Sequence, residues 1–369
     1  MVIFFLSLYL KDHLHFDLHR VGISLAFYGS GSLLGVFTGG WLVDKVGYYR
    51  VILTSLLVGG VMFILVSFLQ HFALMCAGLF LLSAFGEAYR PANMTAIAFF
   101  STPENYTRAT SLNRLAINLG FSIGPLVGGI LAMWHYQLIF WADGFTCLLA
   151  ASVIYFFLRK PASHSLESSV NPPTLAAAPS VYTDKVFLLF LPLTAIYATC
   201  FLQFFITMPM YYKTVEALSE RQIGMVMALN GILVATIEMV MIYKVQNRWK
   251  MYTFIAAGSA LMAASYGALL FIHGFAWMLV LITAISFSEM IAMPFMNTLM
   301  NVRAPASRRG QYSSLYAMAW SSAQIFTPIL VTQVISWSGY NLLWAVMAGL
   351  SAAVALGILR LGKLAVRLA

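Results

Sequence analysis

Residues 51–69 read VILTSLLVGGVMFILVSFL, nineteen residues without a charged side chain. An α-helix rises about 1.5 Å per residue, so a run of this length crosses the roughly 30 Å hydrocarbon core of a bilayer. The whole chain of 369 residues shares this character, because 61% of its residues are hydrophobic and 9% are charged. A soluble chain carries about 25% charged residues. The surface of this protein therefore faces lipid, which excludes a soluble enzyme and a nucleic-acid-binding module.

Further apolar runs lie on both sides of this stretch. With residues 51–69, eleven full spans are predicted, the others at residues 21–42, 73–99, 112–134, 138–158, 186–211, 223–243, 252–271, 275–300, 314–335 and 342–361. Residues 1–10 are apolar but too short to span, and they lack the basic start and cleavage site of a signal peptide. We interpret them as the outer half of a first helix whose beginning is missing from this chain. The predicted fold is an all-α membrane protein of twelve helices with the first truncated.

The basic residues between the spans predict the topology. If the first helix starts inside, the cytoplasmic segments hold sixteen of the 21 Lys and Arg residues and the outer segments hold four. This excess follows the positive-inside rule. Residues 159–185 are rich in Pro and Ser, too polar to fold alone, and predict a cytoplasmic linker. The linker separates an N-terminal six-helix bundle, residues 1–158, from a C-terminal six-helix bundle, residues 186–369.

Sequence landmarks of the first bundle recur in the second at nearly one offset. Each pair falls on the same ordinal helix of its half: Lys45-Val46 and Lys244-Val245, Glu87 and Glu289, Pro125 and Pro328. Parallel repeats of this kind are typical of secondary transporters.

The connection between the second and third helices reads GGWLVDKVGYYR over residues 39–50. Gly40 is expected to let a neighbouring helix approach closely, and Gly47 permits a tight turn. Asp44 stands at a helix end, where it meets nearby basic side chains or the positive N-terminus of another helix. The stretch resembles the cytoplasmic signature of the major facilitator superfamily, which usually has a basic residue where Tyr48 stands. The resemblance implies an inner gate formed by Gly40, Asp44, Lys45, Gly47 and Arg50.

The fifth helix carries a second motif, NLGFSIGPLVGG over residues 118–129. Pro125 removes a backbone hydrogen bond and kinks the helix, while the glycines present a smooth face for packing. The motif resembles the Gly-Pro-x-x-Gly-Gly pattern of the drug/proton antiporter branches of the same superfamily, on residues Gly120, Gly124, Pro125, Gly128 and Gly129. The two resemblances imply the twelve-helix major facilitator fold of two six-helix bundles. They also imply a substrate bound between the halves near the bilayer midplane, with access that alternates between the two sides.

Three glutamates inside spans are candidates for proton coupling, because an ionisable residue at mid-membrane costs about 2.5–3.5 kcal/mol. Glu289 lies midway along the tenth helix without a basic residue within one turn, and burial of this kind favours the protonated carboxyl group. The alternative is a structural hydrogen bond to a neighbour, with Ser286, Ser288 and Asn297 as the possible partners.

The other two glutamates also have two interpretations each. Glu87 stands three residues before Arg90 on the fourth helix, close enough to pair. Either the pair locks that helix, or Arg90 binds an anionic group or tunes the proton affinity of Glu87. Glu238, in the inner half of the eighth helix, serves either proton coupling or a cytoplasmic structural bridge.

Polar residues inside the spans predict the substrate cavity: Arg90, Asn118, Gln203, Asn230 and Gln324. Their small number disfavours a highly hydroxylated substrate. We therefore expect secondary active export of a small amphipathic solute, a drug or a metabolite, in exchange for protons. The alternatives are a proton-coupled nutrient symporter for a sugar, peptide or organic acid, and a non-transporting membrane sensor on the same fold.

Cofactors and partners follow from the same composition. No cysteine spacing suggests a metal site, and no nucleotide-binding loop is present. We expect no cofactor beyond the proton gradient, and as partners a small-molecule substrate and the lipid bilayer, with no nucleic acid, for a monomeric protein. Short outer loops favour a multi-pass protein of a bacterial inner membrane, with both termini cytoplasmic once the first helix is complete upstream.

Overall fold

The computed structural model describes residues 1–102, 106–157, 181–245, 248–305 and 308–368, with the backbone alone at residues 44, 98, 106–108, 110, 111, 114, 309, 310 and 368. All regular secondary structure in these ranges is helical. This confirms the predicted all-α class.

The first half of the chain forms seven α-helices and one π-helical turn, Tyr9–His13. The helices are α1 (Val2–Leu8), α2 (Leu18–Val46), α3 (Tyr48–Val66), α4 (Phe72–Glu87), α5 (Tyr89–Phe100), α6 (Tyr106–Trp134) and α7 (Gln137–Phe157). The second half follows a short 3-10 turn at Val181–Thr183. Its helices are α8 (Lys185–Ile206), α9 (Met208–Thr214), α10 (Glu220–Val245), α11 (Met251–Ala268), α12 (Phe275–Arg303) and α13 (Arg309–Leu368).

Each of the eleven predicted spans coincides with helix. In the part of the chain that the structure describes, nine helical segments are long and apolar enough to cross a membrane. One of them, Gln311–Arg367, contains two predicted spans, because Gly339 breaks the helix with φ 75° and ψ −173°. That backbone conformation is essentially restricted to glycine. Helix α11, with 18 residues, is not among the nine.

The predicted span at residues 73–99 is one apolar helical span, Phe72–Ile97, with a kink near its middle. Helix α4 ends at Glu87 and α5 begins at Tyr89, and Ala88 between them keeps helical angles of φ −62° and ψ −20°. Pro91 explains the kink, because it has no N–H to donate to the carbonyl of Glu87, four residues earlier, and its ring crowds that carbonyl. The kink lies between Glu87, the last residue of α4, and Arg90 in the first turn of α5.

The chain divides into two compact units. Unit 1 comprises residues 1–164, 205–231 and 325–336, and unit 2 comprises residues 165–204, 232–324 and 337–369. Of the predicted linker, residues 159–180 lie outside the described ranges, so the division into bundles at residues 158 and 186 stays a prediction.

Unit 1 is built on a seam of small residues between α2 and α4. Gly31, Gly35 and Gly39 recur every four residues along one face of α2 and lie against the α4 backbone. A Cβ atom on Gly35 would overlap the carbonyl oxygen of Ala84, and one on Gly39 would lie 2.7 Å from Cα of Ala88. Small residues allow this approach, and dispersion contacts between backbones then stabilise the pair in lipid.

Unit 2 is held by buried aromatic and hydroxyl groups. The Tyr266 ring of α11 stacks on Trp344 of α13, with ring centroids 5.6 Å apart, and its hydroxyl donates to the Cys200 carbonyl of α8 at 2.6 Å. Helix α12 is seated on α11 at Gly258, where the Ser288 hydroxyl donates to the Gly258 carbonyl at 2.7 Å. These contacts fix the helix that carries Glu289.

Candidate functional site

The first candidate position is an ion pair at the kink between α4 and α5. Nε of Arg90 lies 2.8 Å from Oε2 of Glu87, and the two side chains are 71% and 21% exposed. Tyr28 of α2 lies within electrostatic range of both charges. The helical spacing predicts this contact and the structure contains it. The proton-coupling role of Glu87 stays a prediction.

A chain of polar side chains continues from this position into α6. The Tyr89 hydroxyl donates to Oδ1 of Asn93 at 3.3 Å, and Nδ2 of Asn93 donates to Oδ1 of Asn113 at 3.0 Å. The sequence analysis missed all three residues. Amide side chains in an otherwise apolar span were the available signal, since such groups need hydrogen-bond partners in lipid.

The second candidate position is Glu289 on α12, where the helix runs unbroken past Pro294. The Glu289 side chain is half-buried. Tyr197 of α8, which is buried, lies within electrostatic range of the carboxyl group. Neighbouring Ser288 directs its hydroxyl to the backbone of α11. Helix packing therefore fixes the backbone on both sides of Glu289.

The remaining candidates are distributed between the two units. Glu238 is 7% exposed and belongs to unit 2, as do Gln203 and Gln324. Nε2 of the buried Gln203 donates to the Thr199 carbonyl of its own helix at 2.9 Å. Arg90, Asn118 and Asn230 belong to unit 1. The structure therefore does not gather the five predicted cavity residues within one unit, and their roles stay predictions.

The Gly-Pro motif of α6 lies at a close crossing with α10 inside unit 1. A Cβ atom on Gly129 would lie 2.6 Å from the Glu220 carbonyl oxygen and 3.1 Å from Cα of Gly224. A Cβ atom on Gly224 would lie 2.5 Å from the Pro125 carbonyl oxygen. Neither helix has room for a side chain at these points, so the crossing depends on glycine in both.

The other motif glycines differ in their surroundings. Gly128 faces the Phe5 ring of α1 and Gly124 faces Met1, whereas a Cβ atom on Gly120 would meet no atom within 4 Å. The expectation of a packing face at Gly120 is therefore wrong. Gly231 of α10 lies against Ser122 of α6, a contact that the sequence analysis did not predict.

The inner-gate motif corrects one expectation about packing. The close approach to the neighbouring helix is made by Gly39, because a Cβ atom on Gly40 would meet no atom within 4 Å. The two glycines are adjacent, so they point about 100° apart around the helix. Gly47 ends α2 with φ 83°, as the predicted tight turn requires.

The charged part of the same motif is described only in part. Nζ of Lys45 lies 4.0 Å from the centroid of the Trp41 ring, a cation–π contact. The Arg50 side chain is exposed. The Asp44 side chain lies outside the described part of the chain, so the predicted gate contacts of Asp44 stay predictions.

A polar cluster at the opposite end of unit 1 joins segments from both halves of the sequence. Nζ of Lys213 donates to Oε1 of Glu220 at 2.6 Å, and the Tyr136 hydroxyl donates to the same oxygen at 3.3 Å. Asp12 lies within electrostatic range, and burial raises its pKa against the opposing charges of Lys11 and Lys213. In the topology predicted from the loop charges, this cluster is expected on the outer side of the membrane.

A second polar cluster ties the start of α8 to the ends of other helices in unit 2. Nε and Nη2 of Arg303 donate to the two carboxylate oxygens of Asp184 at 2.9 and 2.7 Å, and the Tyr312 hydroxyl donates at 3.1 Å. Burial opposes ionisation, but these donors and the Phe187 amide outweigh it and hold the pKa of Asp184 below its ordinary value. In the same predicted topology, this cluster is expected on the cytoplasmic side.

Comparison with known protein families gives one match over most of the chain. The model of the Major Facilitator Superfamily matches residues 1–328. The chain is 21% identical over 328 residues to the uncharacterized MFS-type transporter YttB of Bacillus subtilis (strain 168), covering 88% of this chain and 81% of the relative. It is 22% identical over 376 residues to a Na(+), Li(+), K(+)/H(+) antiporter of Planococcus maritimus, covering 92% and 87%.

Solved structures share the fold. A POT family transporter in complex with 5-aminolevulinic acid superposes with a TM-score of 0.79 at 14% identity, covering 97% of this chain and 91% of that chain. A POT family transporter in complex with a thioalcohol conjugated peptide gives a TM-score of 0.82, also at 14% identity, covering 98% and 92%. At this identity the likeness concerns the arrangement of helices alone.

Proposed function

Because the chain belongs to the Major Facilitator Superfamily, we propose that it exports a small amphipathic solute in exchange for protons by alternating access. It is a multi-pass transporter of that family with the predicted helical fold. The proposal concerns the solute, the direction and the coupling ion. It also places the protein in a bacterial inner membrane with the C-terminus in the cytoplasm, as the positive-inside rule favours.

Glu289 carries the proposal. A carboxyl group inside a membrane helix is costly and marks ion or proton pathways. This one is half-buried, lies beside Tyr197, and has its backbone fixed by the seat of α12 on α11. A fixed carboxyl group in a low-dielectric setting can take up one proton and release it when its surroundings change. We assign the coupling proton to Glu289.

The contacts that must separate during alternating access lie at the outer ends of the helices. Helices α2 and α6 of the first half touch segments of the second half within unit 1, at Gly22 against Thr332 and at Gly129 against Gly224. Alternating access requires such contacts to separate when the outer side opens. Glycine seams suit this requirement, because they interlock few long side chains.

Reconstituted vesicles test the coupling. Proteoliposomes with an acidic lumen and an internal pH dye receive ethidium outside, and the lumen of the wild type becomes more alkaline as protons leave. Glu289→Gln cannot exchange the proton, so we expect the ethidium-dependent rate to fall by about 10–100-fold. Glu167→Gln, the same chemical change in the predicted linker, is the matched control and should transport at the wild-type rate.

The outcomes separate the alternatives. A full ethidium-dependent rate in Glu289→Gln removes this residue from the mechanism. If the proton gradient drives ethidium in the same direction as the protons, the result supports the nutrient symporter and contradicts exchange. Complete absence of flux with every solute, from a folded protein, supports the membrane sensor.

Monovalent cations are a second candidate substrate class, favoured by the relative named as a Na(+), Li(+), K(+)/H(+) antiporter. The same vesicles receive sodium, lithium or potassium chloride in place of ethidium. Alkalinisation of the lumen with these salts, and none with ethidium, would assign the chain to cation exchange.

A further inference from the structure

A groove of about 600 Å³ lies between the start of α8 and the end of α13, inside unit 2. The two helices run antiparallel here, since Leu193 lies against Gly357 and, farther along, Cys200 lies against Met347. A Cβ atom on Gly357 would lie 2.7 Å from Leu193, so the two helices approach each other closely at this end of the groove because residue 357 has no side chain. The groove is not adjacent in sequence to any of the candidate coupling or gate residues.

The groove is lined by apolar residues of both helices and by basic residues of α13. Leu189, Pro192 and Leu193 of α8 face Leu361 and Leu364 of α13. Towards the end of α13 the lining residues are Arg360, Lys363 and Arg367, all exposed. These positions recur at three- and four-residue spacing, so the cations form one stripe along the helix.

The three cations have no acidic partner in the ranges that the structure describes. No ion pair or hydrogen bond joins their side chains to another described residue. The nearby carboxylate at the start of α8, Asp184, is occupied by Arg303 and Tyr312. The positive charge of the groove is therefore available to a ligand.

The dimensions and position of the groove match one leaflet of a bilayer. From Gly357 to Arg367 the helix rises about 15 Å, roughly half the hydrocarbon thickness. The loop charges place this end of both helices on the cytoplasmic side. Leu189 is 50% exposed, so the apolar wall opens sideways to lipid. Basic pockets between membrane helices on the cytoplasmic side are suited to anionic lipid head groups.

We propose that this groove binds an anionic phospholipid of the inner leaflet. Its phosphate lies among Arg360, Lys363 and Arg367, and one acyl chain follows Leu189 and Leu193 towards Gly357. The charge complements a phosphate, and the apolar wall distinguishes a lipid from a free anion. The bound lipid fills the groove and joins α8 to α13 at their cytoplasmic ends.

Native mass spectrometry of the purified full chain tests the site, with dioleoylphosphatidylglycerol added stepwise and dioleoylphosphatidylcholine as the neutral comparison. We expect the first phosphatidylglycerol to bind wild type in preference to phosphatidylcholine. Replacing Arg360, Lys363 and Arg367 together by Gln should weaken that binding by about tenfold. Replacing Lys244, Arg248 and Lys250 by Gln removes the same charge elsewhere on the cytoplasmic side and should weaken it less than about twofold.

Two further arms distinguish a lipid from a soluble anion. Leu189→Trp fills the apolar wall and keeps every cation, so it should also weaken phosphatidylglycerol binding. Inorganic phosphate should not displace the lipid. If the triple variant is unstable, three single variants test the site instead: Arg360→Gln, Lys363→Gln and Arg367→Gln. Each should weaken phosphatidylglycerol binding by less than the triple variant would.

Four results would overturn the proposal: equal loss in the control triple variant, equal binding of phosphatidylcholine, unchanged binding in Leu189→Trp, or displacement by inorganic phosphate.

Discussion

The α4–α5 region of the first half and α12 of the second half both carry a glutamate shortly before a proline, yet their backbones differ. Glu87 precedes Pro91 by four residues, so its own carbonyl is the one that the proline ring crowds, and the span has a kink at Ala88. Glu289 precedes Pro294 by five residues, so the crowded carbonyl belongs to Met290, and α12 is continuous here. Glu87 therefore lies next to a kink, whereas Glu289 lies inside an uninterrupted helix.

The charged and polar groups around Glu87 and Glu289 also differ. At the kink, Glu87 has the cation Arg90 at 2.8 Å. Near Glu289 in α12 lie the hydroxyl groups of Tyr197 and Ser288. A cation beside a carboxyl group favours its ionised form, and solvent weakens this effect here because Arg90 is mostly exposed. We therefore propose the coupling proton for Glu289 and a positioning role for Glu87.

The largest expected effect concerns the close packing of α2 against α4, the helix that ends at Glu87. Gly35→Ala places a methyl group on the Ala84 carbonyl, so we expect a loss of about 2–3 kcal/mol in the free energy of unfolding in detergent. Gly40→Ala, five residues later on the same helix, has open space and should gain up to about 1 kcal/mol from helix propensity. A similar loss in both variants would contradict the close packing at Gly35.

The next effect concerns Asp184 at the start of α8, which joins that helix to Arg303 and Tyr312. Asp184→Asn removes the charge that accepts two bonds from Arg303, and we expect a loss of about 1–2 kcal/mol at neutral pH, allowing for partial exposure. The lowered pKa makes this stabilisation pH-dependent. The wild-type advantage should be complete above pH 3.8, the ordinary value, and should disappear as the pH falls through the lowered value.

Thermal unfolding of both proteins across that pH range measures the difference. Tyr312→Phe, which loses one of the donors, is the milder control. A wild-type advantage that stays constant to the lowest pH would show that the Asp184 charge is not its source.

The smallest effect addresses the ion pair directly, through a double-mutant cycle on Glu87 and Arg90. Each single change to Gln should cost about 1 kcal/mol, because Arg90 is mostly exposed and solvent weakens the pair. The double variant should recover part of that loss, giving a coupling energy of about 0.5–1 kcal/mol. If the losses of the two single variants add up in the double variant, Glu87 and Arg90 do not interact, and the ion pair does not distinguish Glu87 from Glu289.

The sequence predicts the helices well because a membrane span is a one-dimensional property, set by apolar length. It also contains the reason for the kink at Ala88, since Pro91 lies three residues later, and residues 73–99 are one span as predicted. Adjacent Gly39 and Gly40 show the limit of such reasoning. Motif spacing does not give the rotation of α2 about its axis, so it does not tell which glycine faces α4.

The candidate site was predictable to a smaller degree, because its contacts join distant parts of the chain. The pair of Glu87 and Arg90 follows from helical spacing alone. The Lys213–Glu220 contact with Tyr136 joins the two halves of the sequence, and the Asp184–Arg303 contact joins helices over a hundred residues apart. Local periodicity carries no information about such partners.

The composition of unit 1 has a consequence for biosynthesis. Residues 205–231 and 325–336 belong to it, so the unit is incomplete until residue 336 has left the ribosome. Until then the glycine-lined faces of α2 and α6 have no protein partner at Gly22 and Gly129 and lie open to lipid or to an insertase. The first half of the chain therefore stays partly assembled in the bilayer until the last helices of the second half have been synthesised.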